Sequence, residues 1–382
     1  MTAPARPLLP RVLYVSTRSW NPGDGFIQMG VERLLAAVAG RPRTSAVYNK
    51  APQVTSFWRP VQLWRRSRGR GPWSLLHGIL DTVHFDNSHK RAHGLDGYDA
   101  VVFSGSPGWS GPRLAELFRK LDGYRGEVLF LGIGTPNRRL RLTRTERRVL
   151  ERALVVTREE ALATLLGERW GVAAEALPCP ALFSAPAPGA DGAAAPEDGS
   201  GSGTPGPAGP VGFVFSTRRS VRNQAVSDEA YERQLALLDA LRDEVEVEVV
   251  CHYSDDLDDA LTRFGEALPV HYHFDPRSLL ELYRPFGYVV STRVHGCGAA
   301  SSLGIPNALL GHDRRAGTVR GFRSLLIPPG PEVLPQALRE AIRATPAARA
   351  GAAAELRLHR RRAFRQWTRL LADRLGTDPP RS

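Results

Sequence analysis

The chain has 382 residues, more than one ordinary domain holds and suited to two. Lysine and arginine outnumber aspartate and glutamate 51 to 39, a formal charge of +12 that favours anionic partners: phosphorylated small molecules, nucleic acid or an anionic membrane surface. Cys179, Cys251 and Cys297 are far apart and lack a CxxC pair, which argues against a disulfide framework or a zinc site. No run of about 18 apolar residues offers a membrane span. Pro7 and Pro10 interrupt the N-terminal stretch, so no signal peptide is expected there. The expected location is the cytoplasm, with room for peripheral contact at the inner face of the membrane.

In chain order, "RVLYVST" (11–17) reads as a strand, "RSWNPGDG" as a turn cluster and "FIQMGVERLLAAVAG" as a helix. The stretch 58–73 is basic, with Trp58, Trp64 and Trp73 interleaved. Strands follow at 98–106, 127–135 ("EVLFLGIGT") and "LVVT", alternating with helices in "GPRLAELFRKLDG", "TRTERRVLERA" and "REEALATLLGERWG". This alternation predicts parallel βα units. Residues 184–210 hold no aromatic and no aliphatic larger than alanine, so they cannot bury apolar surface and read as a disordered Pro/Gly/Ala linker. The second half restarts the pattern with strands at 211–217, "VEVEVVCHY", "GYVVST" and 307–313, and helices in "DEAYERQLALLDALRDE", "DDLDDALTRFGEAL" and "RSLLELYRPF". The expected organisation is an α/β domain over 1–183, the linker 184–210, a second α/β domain over 211–330 and a helical, arginine-rich tail over 331–382. Two Rossmann-like domains would then face a cleft at the carboxyl ends of their parallel strands.

The candidate residues sit where strands end. In "STRVHGCGAASSLGIP" (291–306), Arg293 and His295 follow a buried strand and precede a helix of small residues, whose N-terminus suits an anion. A histidine closing the strand end, with Arg293 paired to a carboxylate, explains the same letters. "FSTRRSVRNQ" places Arg218 and Arg222 after the first strand of the second half, as a clamp for phosphate or carboxylate or as a solvated charge run. Arg158 in "VVTREEA" is a cation at a helix start where the dipole favours acids. "NPGDG" (21–25) offers Asn21 and Asp24, the latter to cap the helix or orient a hydroxyl, and "SGSPG" offers Gly105. These two loops and "GIGTPN" (132–137) fall at one end of one predicted sheet.

Taken together, these motifs resemble the polysaccharide pyruvyl transferase family. "NPGD" is similar to its early Asn-x-Gly-Asp loop, "VVFSGSPG" to its glycine-rich strand end and "VVTREEA" to its Arg-Asp-x-x-Ser region. "STRVHG" is similar to its Ser-x-Arg-x-His strand end, the most specific match. Glu159 and Ala161 depart from the pattern, as do Ser104, Ser106 and Pro107, and Arg314 and Arg315 stand where a lysine is frequent. The resemblance implies a GT-B-like fold and transfer of pyruvate from phosphoenolpyruvate to a sugar or glycan acceptor, free or lipid-linked, as a ketal. No cofactor and no metal are expected. His295 would be the general acid or a phosphate ligand, with Arg293, in the catalytic site beside it, Arg158 and Arg218 holding the donor anion and Arg222 a further substrate contact. Asn21, Asp24 and Gly105 would line the substrate site, with the first domain on the acceptor side and the second on the donor side.

Two other readings compete. A nucleotide-sugar glycosyltransferase would share the architecture, because a fold does not fix a function. A non-catalytic protein binding anions or a membrane surface through 58–73 would use the basic and aromatic letters there. No established motif points to sequence-specific nucleic-acid binding. His84, His89 and His93 are close in sequence, but the intervening "FDNS" reads as a turn and no metal site is expected.

Overall fold

A computed structural model of the chain describes residues 8–17, 21–50, 94–106, 108–111, 114–135, 140–186, 209–218, 226–312, 314–330 and 332–379. The first half builds a six-stranded sheet from β1 (Arg11–Ser16), β2 (Thr44–Asn49), β3 (Ala100–Ser106), β4 (Glu127–Ile133), β5 (Leu154–Thr157) and β6 (Glu175–Ala176). Every pairing is parallel and the order is β2-β1-β3-β4-β5-β6. The strands are valine- and leucine-rich and buried on both faces, as a parallel sheet between helical layers requires. The helices are α1 (Pro22–Ala39), α2 (Ala115–Asp122), α3 (Arg144–Arg152) and α4 (Glu160–Trp170).

The second half repeats the architecture with β7 (Val211–Phe215), β8 (Val247–Cys251), β9 (Val270–Tyr272), β10 (Tyr288–Ser291), β11 (Asn307–Leu310) and β12 (Leu325–Ile327). Its order, β12-β11-β10-β7-β8-β9, is also parallel throughout and is the doubly wound dinucleotide-fold order. The switch point lies between β7 and β10, where ligands bind in such sheets. Its helices are α5 (Asp228–Arg242), α6 (Ser254–Phe264), α7 (Pro276–Glu281), α8 (Val294–Leu303) and α9 (Gln336–Ile342). The last helix, α10 (Pro346–Leu375), returns to the first half, where Trp367 Nε1 donates to the Pro178 carbonyl at 2.9 Å.

The halves share one apolar cluster. Phe26 and Leu34 of α1, Leu182 and Phe183 of the 3-10 turn Pro180–Phe183, Ala299 and Ala300 of α8, and Trp367 of α10 belong to the same core. Separate clusters cover the outer face of each sheet. The two sheets are thus held by a common apolar layer that brings their strand ends together.

The structure differs from the sequence reading in a few elements. "NPGDG" is no free loop: Asn21 caps α1 and the helix begins at Pro22, because proline at the first helical position loses no hydrogen bond. The segment "RSLLELYRPF" is helical only to Glu281, since Pro285 disfavours helix in the residue before it. The strand of "NALLGHD" ends at Leu310. Strands β2, β6, β9 and β12 went unread because they are short, edge-proximal or set in polar letters.

Candidate active site

The carboxyl ends of β5 and β10 face each other across the shared layer. Arg158 follows β5 directly, and its backbone N–H extends the sheet by donating to the Ile133 carbonyl at 3.0 Å. Its side chain is 1% exposed, and Nη1 lies 3.0 Å from Nε2 of His295 in the other half. A guanidinium has no acceptor, so Nε2 is the unprotonated nitrogen in this contact. The Arg158 Nε is buried without a hydrogen-bond partner, 3.5 Å from Glu159 Oε1. A buried donor outside hydrogen-bond geometry is costly, and each one in a native fold calls for a reason.

Two glycines make room for this pair. A Cβ on Gly23 would fall 2.4 Å from His295 Nδ1, and one on Gly134 would fall 2.5 Å from Arg158 Nε. Gly23 stands in the first turn of α1 and Gly134 just beyond β4, so backbone from a helix start and a strand end packs on the two side chains. Glu159 fixes the floor. It accepts from the Thr135 N–H at 3.2 Å and from the Thr135 hydroxyl, and Thr318 of the second half donates to its other oxygen at 2.9 Å.

Arg293 is the N-cap residue of α8 but points away from His295 in its bonding. Its Nη2 donates to both oxygens of Asp256, at 2.8 and 2.7 Å, and its guanidinium lies over the Tyr253 ring at 4.3 Å. Asp256 also accepts from the Thr217 N–H at 2.9 Å. Burial pushes the Asp256 carboxyl up despite Arg293, and burial with Arg293 nearby pushes His252 down to about 3. His252 is therefore neutral, and its Nε2 meets the Tyr283 hydroxyl at 2.6 Å. The paired-carboxylate arrangement weighed for Arg293 is the one present here.

The first half adds a buried ion pair. Asp24 and Lys50, each with a side chain 4% exposed, are 3.2 Å apart, and Lys50 also donates to the Gly105 carbonyl at 3.4 Å. Burial lowers the Lys50 ammonium pKa against the opposing pull of Asp24, and Arg158 adds a further push downward. Gly105 takes a left-handed φ of 64° at the end of β3. Asn21 accepts from the Asp24 N–H at 3.4 Å and from the Tyr253 hydroxyl at 3.1 Å, bridging the halves. Beside it opens a cavity of about 350 Å³, lined in part by Thr17, Asn21, Gly25, Phe274 and Pro276.

Of the sequence candidates, His295, Arg158, Asn21, Asp24 and Gly105 come together around these strand ends. Arg218 does not join them: it pairs with Glu232 at 3.3 Å and lies over the Tyr231 ring at 5.0 Å, held to α5. Arg222, the stretch 58–73 and His84, His89 and His93 lie outside the described residues. Lys50, Asp256 and Tyr253 were missed. The rule that found Arg158, a charge directly after an apolar strand, does not reach Lys50, because β2 is set in polar letters. Among the described residues, no group of three or more His, Cys, Asp or Glu side chains could hold a metal ion. Among the same residues, no helix is long and apolar enough to cross a membrane.

A family profile described as polysaccharide pyruvyl transferase matches residues 22–314, from the first turn of α1 through β11. The chain belongs to the polysaccharide pyruvyl transferase family. The match takes in Asp24, Gly105, Arg158, Arg293 and His295, and the family is one of transferases. A search of curated proteins finds no match. Among solved structures, the S. aureus MnaA-UDP co-structure has 12% identity and a TM-score of 0.50, covering 96% of this chain and 97% of that one. A putative UDP-N-acetylglucosamine 2-epimerase from Listeria monocytogenes has 11% identity and a TM-score of 0.48, covering 98% and 99%. The glycosyltransferase SnogD from Streptomyces nogalater has 16% identity and a TM-score of 0.45, covering 95% and 98%. At these identities the likeness concerns the fold, which is GT-B-like: two parallel-sheet α/β domains with a C-terminal helix.

Proposed function

We propose that the protein transfers pyruvate from phosphoenolpyruvate to two hydroxyls of a sugar-containing acceptor, forming a ketal and releasing phosphate. The observation that carries this reading is the Arg158–His295 contact at the meeting of two sheets, with a buried guanidinium donor still unmet. Phosphoenolpyruvate carries a carboxylate and a phosphate, the two groups that a guanidinium holds in two-point contact.

The chemistry asks for one proton at C3 of the enol, which makes C2 electrophilic. The first acceptor hydroxyl bonds to C2, the C2–O bond to phosphate breaks, and the second hydroxyl closes the ketal. The two hydroxyls release two protons, one replacing that spent at C3 and one leaving with phosphate. Histidine suits proton delivery near neutral pH. Arg158 Nη1 occupies Nε2 of His295. An anion that draws the guanidinium off frees that nitrogen to carry a proton, so donor binding and arming of the acid are one event. As a phosphate ligand, His295 would use the same freed nitrogen.

Arg158 is the principal donor clamp in this reading. Arg293 holds the start of α8, which carries His295, through Asp256. Asn21 and the Asp24–Lys50 pair shape the acceptor side. Calorimetric titration with phosphoenolpyruvate and with a uridine diphosphate sugar tests the proposal. Phosphoenolpyruvate should bind the wild type and bind Arg158→Gln about 10- to 100-fold more weakly, the worth of one or two charged hydrogen bonds. Binding of the nucleotide sugar alone would replace this reading with a glycosyltransferase one.

A further inference from the structure

The arginine-rich tail takes no part in the reaction centre. Its long helix, α10, holds eight arginines against two acids, Glu355 and Asp373. The inner side of the helix is accounted for. Ala363, Trp367 and Leu371 are buried in the core that the two halves share. Beside them Arg360 donates to the Ala185 and Pro186 carbonyls, and Arg374 meets Glu127 at 3.0 Å near the C-terminal end.

The outer side is different. Arg361, Arg362, Arg365 and Arg369 are exposed, and among the described residues none of the four has a carboxylate partner. At 3.6 residues per turn they fall within an arc of about 100°, together with Leu358, which is 38% exposed. The stripe from Leu358 to Arg369 is on the order of 16 Å long. The two acids bracket it: Glu355 meets Arg323 at 3.9 Å before the stripe, and Asp373 follows it.

Helix formation does not account for this pattern. Arg361, Arg365 and Arg369 stand four apart, and like charges at that spacing weaken a helix. A solvated helix face ordinarily alternates signs there. A row of unmatched guanidiniums with one apolar side chain in line is complementary to a broad anionic surface rich in phosphate. A phospholipid leaflet has that form, and clusters of four or more basic residues on a helix are the pattern that anionic headgroups attract. Nucleic acid fits less well. Gln366 is the other exposed residue between Arg361 and Arg369, and Phe364 packs inward on Phe183, so the stripe offers no ring on which a base could stack. With its inner side docked, α10 cannot enter a duplex groove as a free rod.

We propose that the outer face of α10, from Leu358 to Arg369, docks the protein on an anionic phospholipid surface. The contact is peripheral. The apolar side of the helix is already used inside the protein, so the guanidiniums meet headgroups and Leu358 supplies the apolar contact. This surface is separate from the stretch 58–73, and it does not depend on the transferase reading.

The test is cosedimentation of the full chain with phosphatidylcholine vesicles, with and without phosphatidylglycerol, at low and high salt. The wild type should bind the phosphatidylglycerol vesicles at low salt, leave them at high salt and ignore phosphatidylcholine alone. The variant carrying Arg361→Gln, Arg365→Gln and Arg369→Gln should bind about 100-fold more weakly. Leu358→Ala should bind severalfold more weakly with the same salt dependence. A control carrying Arg119→Gln, Arg125→Gln and Arg144→Gln makes the same change in net charge on the first half and should bind as the wild type does. All six arginines are exposed, so folding should survive, and an unchanged melting temperature checks it. Failure of the wild type to bind phosphatidylglycerol vesicles overturns the proposal, as does equal binding by the α10 variant. Equal loss in the control overturns it too, because net charge and not the stripe would then be responsible. A DNA oligonucleotide that the α10 variant no longer binds, with vesicle binding intact, would make the stripe a nucleic-acid surface instead.

Discussion

Arg158 and His295 belong to different halves of the chain and are 137 positions apart, yet Nη1 of one and Nε2 of the other lie 3.0 Å apart. Neither half alone can make that contact. His295→Ala should lower turnover by about 10²–10⁴-fold if the imidazole delivers the proton. Phosphate release and ketal formation should fall together, and near-normal turnover would take His295 out of the mechanism.

Gly23 sets the distance of α1 from that histidine. Gly23→Ala puts a methyl 2.4 Å from His295 Nδ1, so the ring or the helix must shift. The expected result is a drop in kcat of at least tenfold with little change in melting temperature, since misplacement by about 1 Å can cost 10²-fold. Unchanged kcat would mean that the imidazole position is not critical.

Arg293 is a positioning residue whose removal strands a buried acid. Arg293→Ala leaves Asp256 uncompensated and should destabilise the fold by about 3–5 kcal/mol in urea unfolding. Arg293→Ala with Asp256→Ala should recover part of that loss. Equal costs in the single and double variants would show that the pair is not coupled.

Asp24 and Lys50 invite the same treatment. Lys50→Met should cost about 3–5 kcal/mol, and Lys50→Met with Asp24→Asn should cost less. If Asp24 also orients an acceptor hydroxyl, the double variant stays folded but has a raised acceptor KM. A folded double variant with an unaltered acceptor KM would dismiss that role.

His252 gives the fold an acid limit. Its pKa is lowered from 6.5 to about 3 when folded, chiefly by burial, so the unfolded chain binds the extra proton between those values. Stability therefore falls as pH drops below about 6.5, by about 1.4 kcal/mol per pH unit and about 2 kcal/mol by pH 5. The loss levels off near pH 3. His252→Gln keeps a polar partner for Tyr283 and should flatten this part of the curve, and an unchanged slope would assign the acid sensitivity elsewhere.

Much of the architecture was legible because strand and helix periods alternate and charges follow the strands. Arg158 and His295 stood out as charges directly after apolar runs. Their pairing did not, because it depends on how two sheets meet, and no local period encodes that. Asp256 was hidden for another reason: "SDDLDD" reads as a helix start rich in acids, and only burial singles out one of them. Asn21 was taken for loop because Asn-Pro-Gly-Asp serves a turn or a helix cap equally well. Lys50 ends a strand set in polar letters, so the strand itself went unread.

The 30-residue α10, about 45 Å long, touches both halves along its length. His359 meets the Gly321 carbonyl at 2.9 Å on one side, and Arg374 meets Glu127 at 3.0 Å on the other. A stiff rod docked on both halves ties each to the other. The same rod carries Trp367 into the shared core, so the geometry of the Arg158–His295 contact, which needs both halves, depends on a helix that lies outside the site itself.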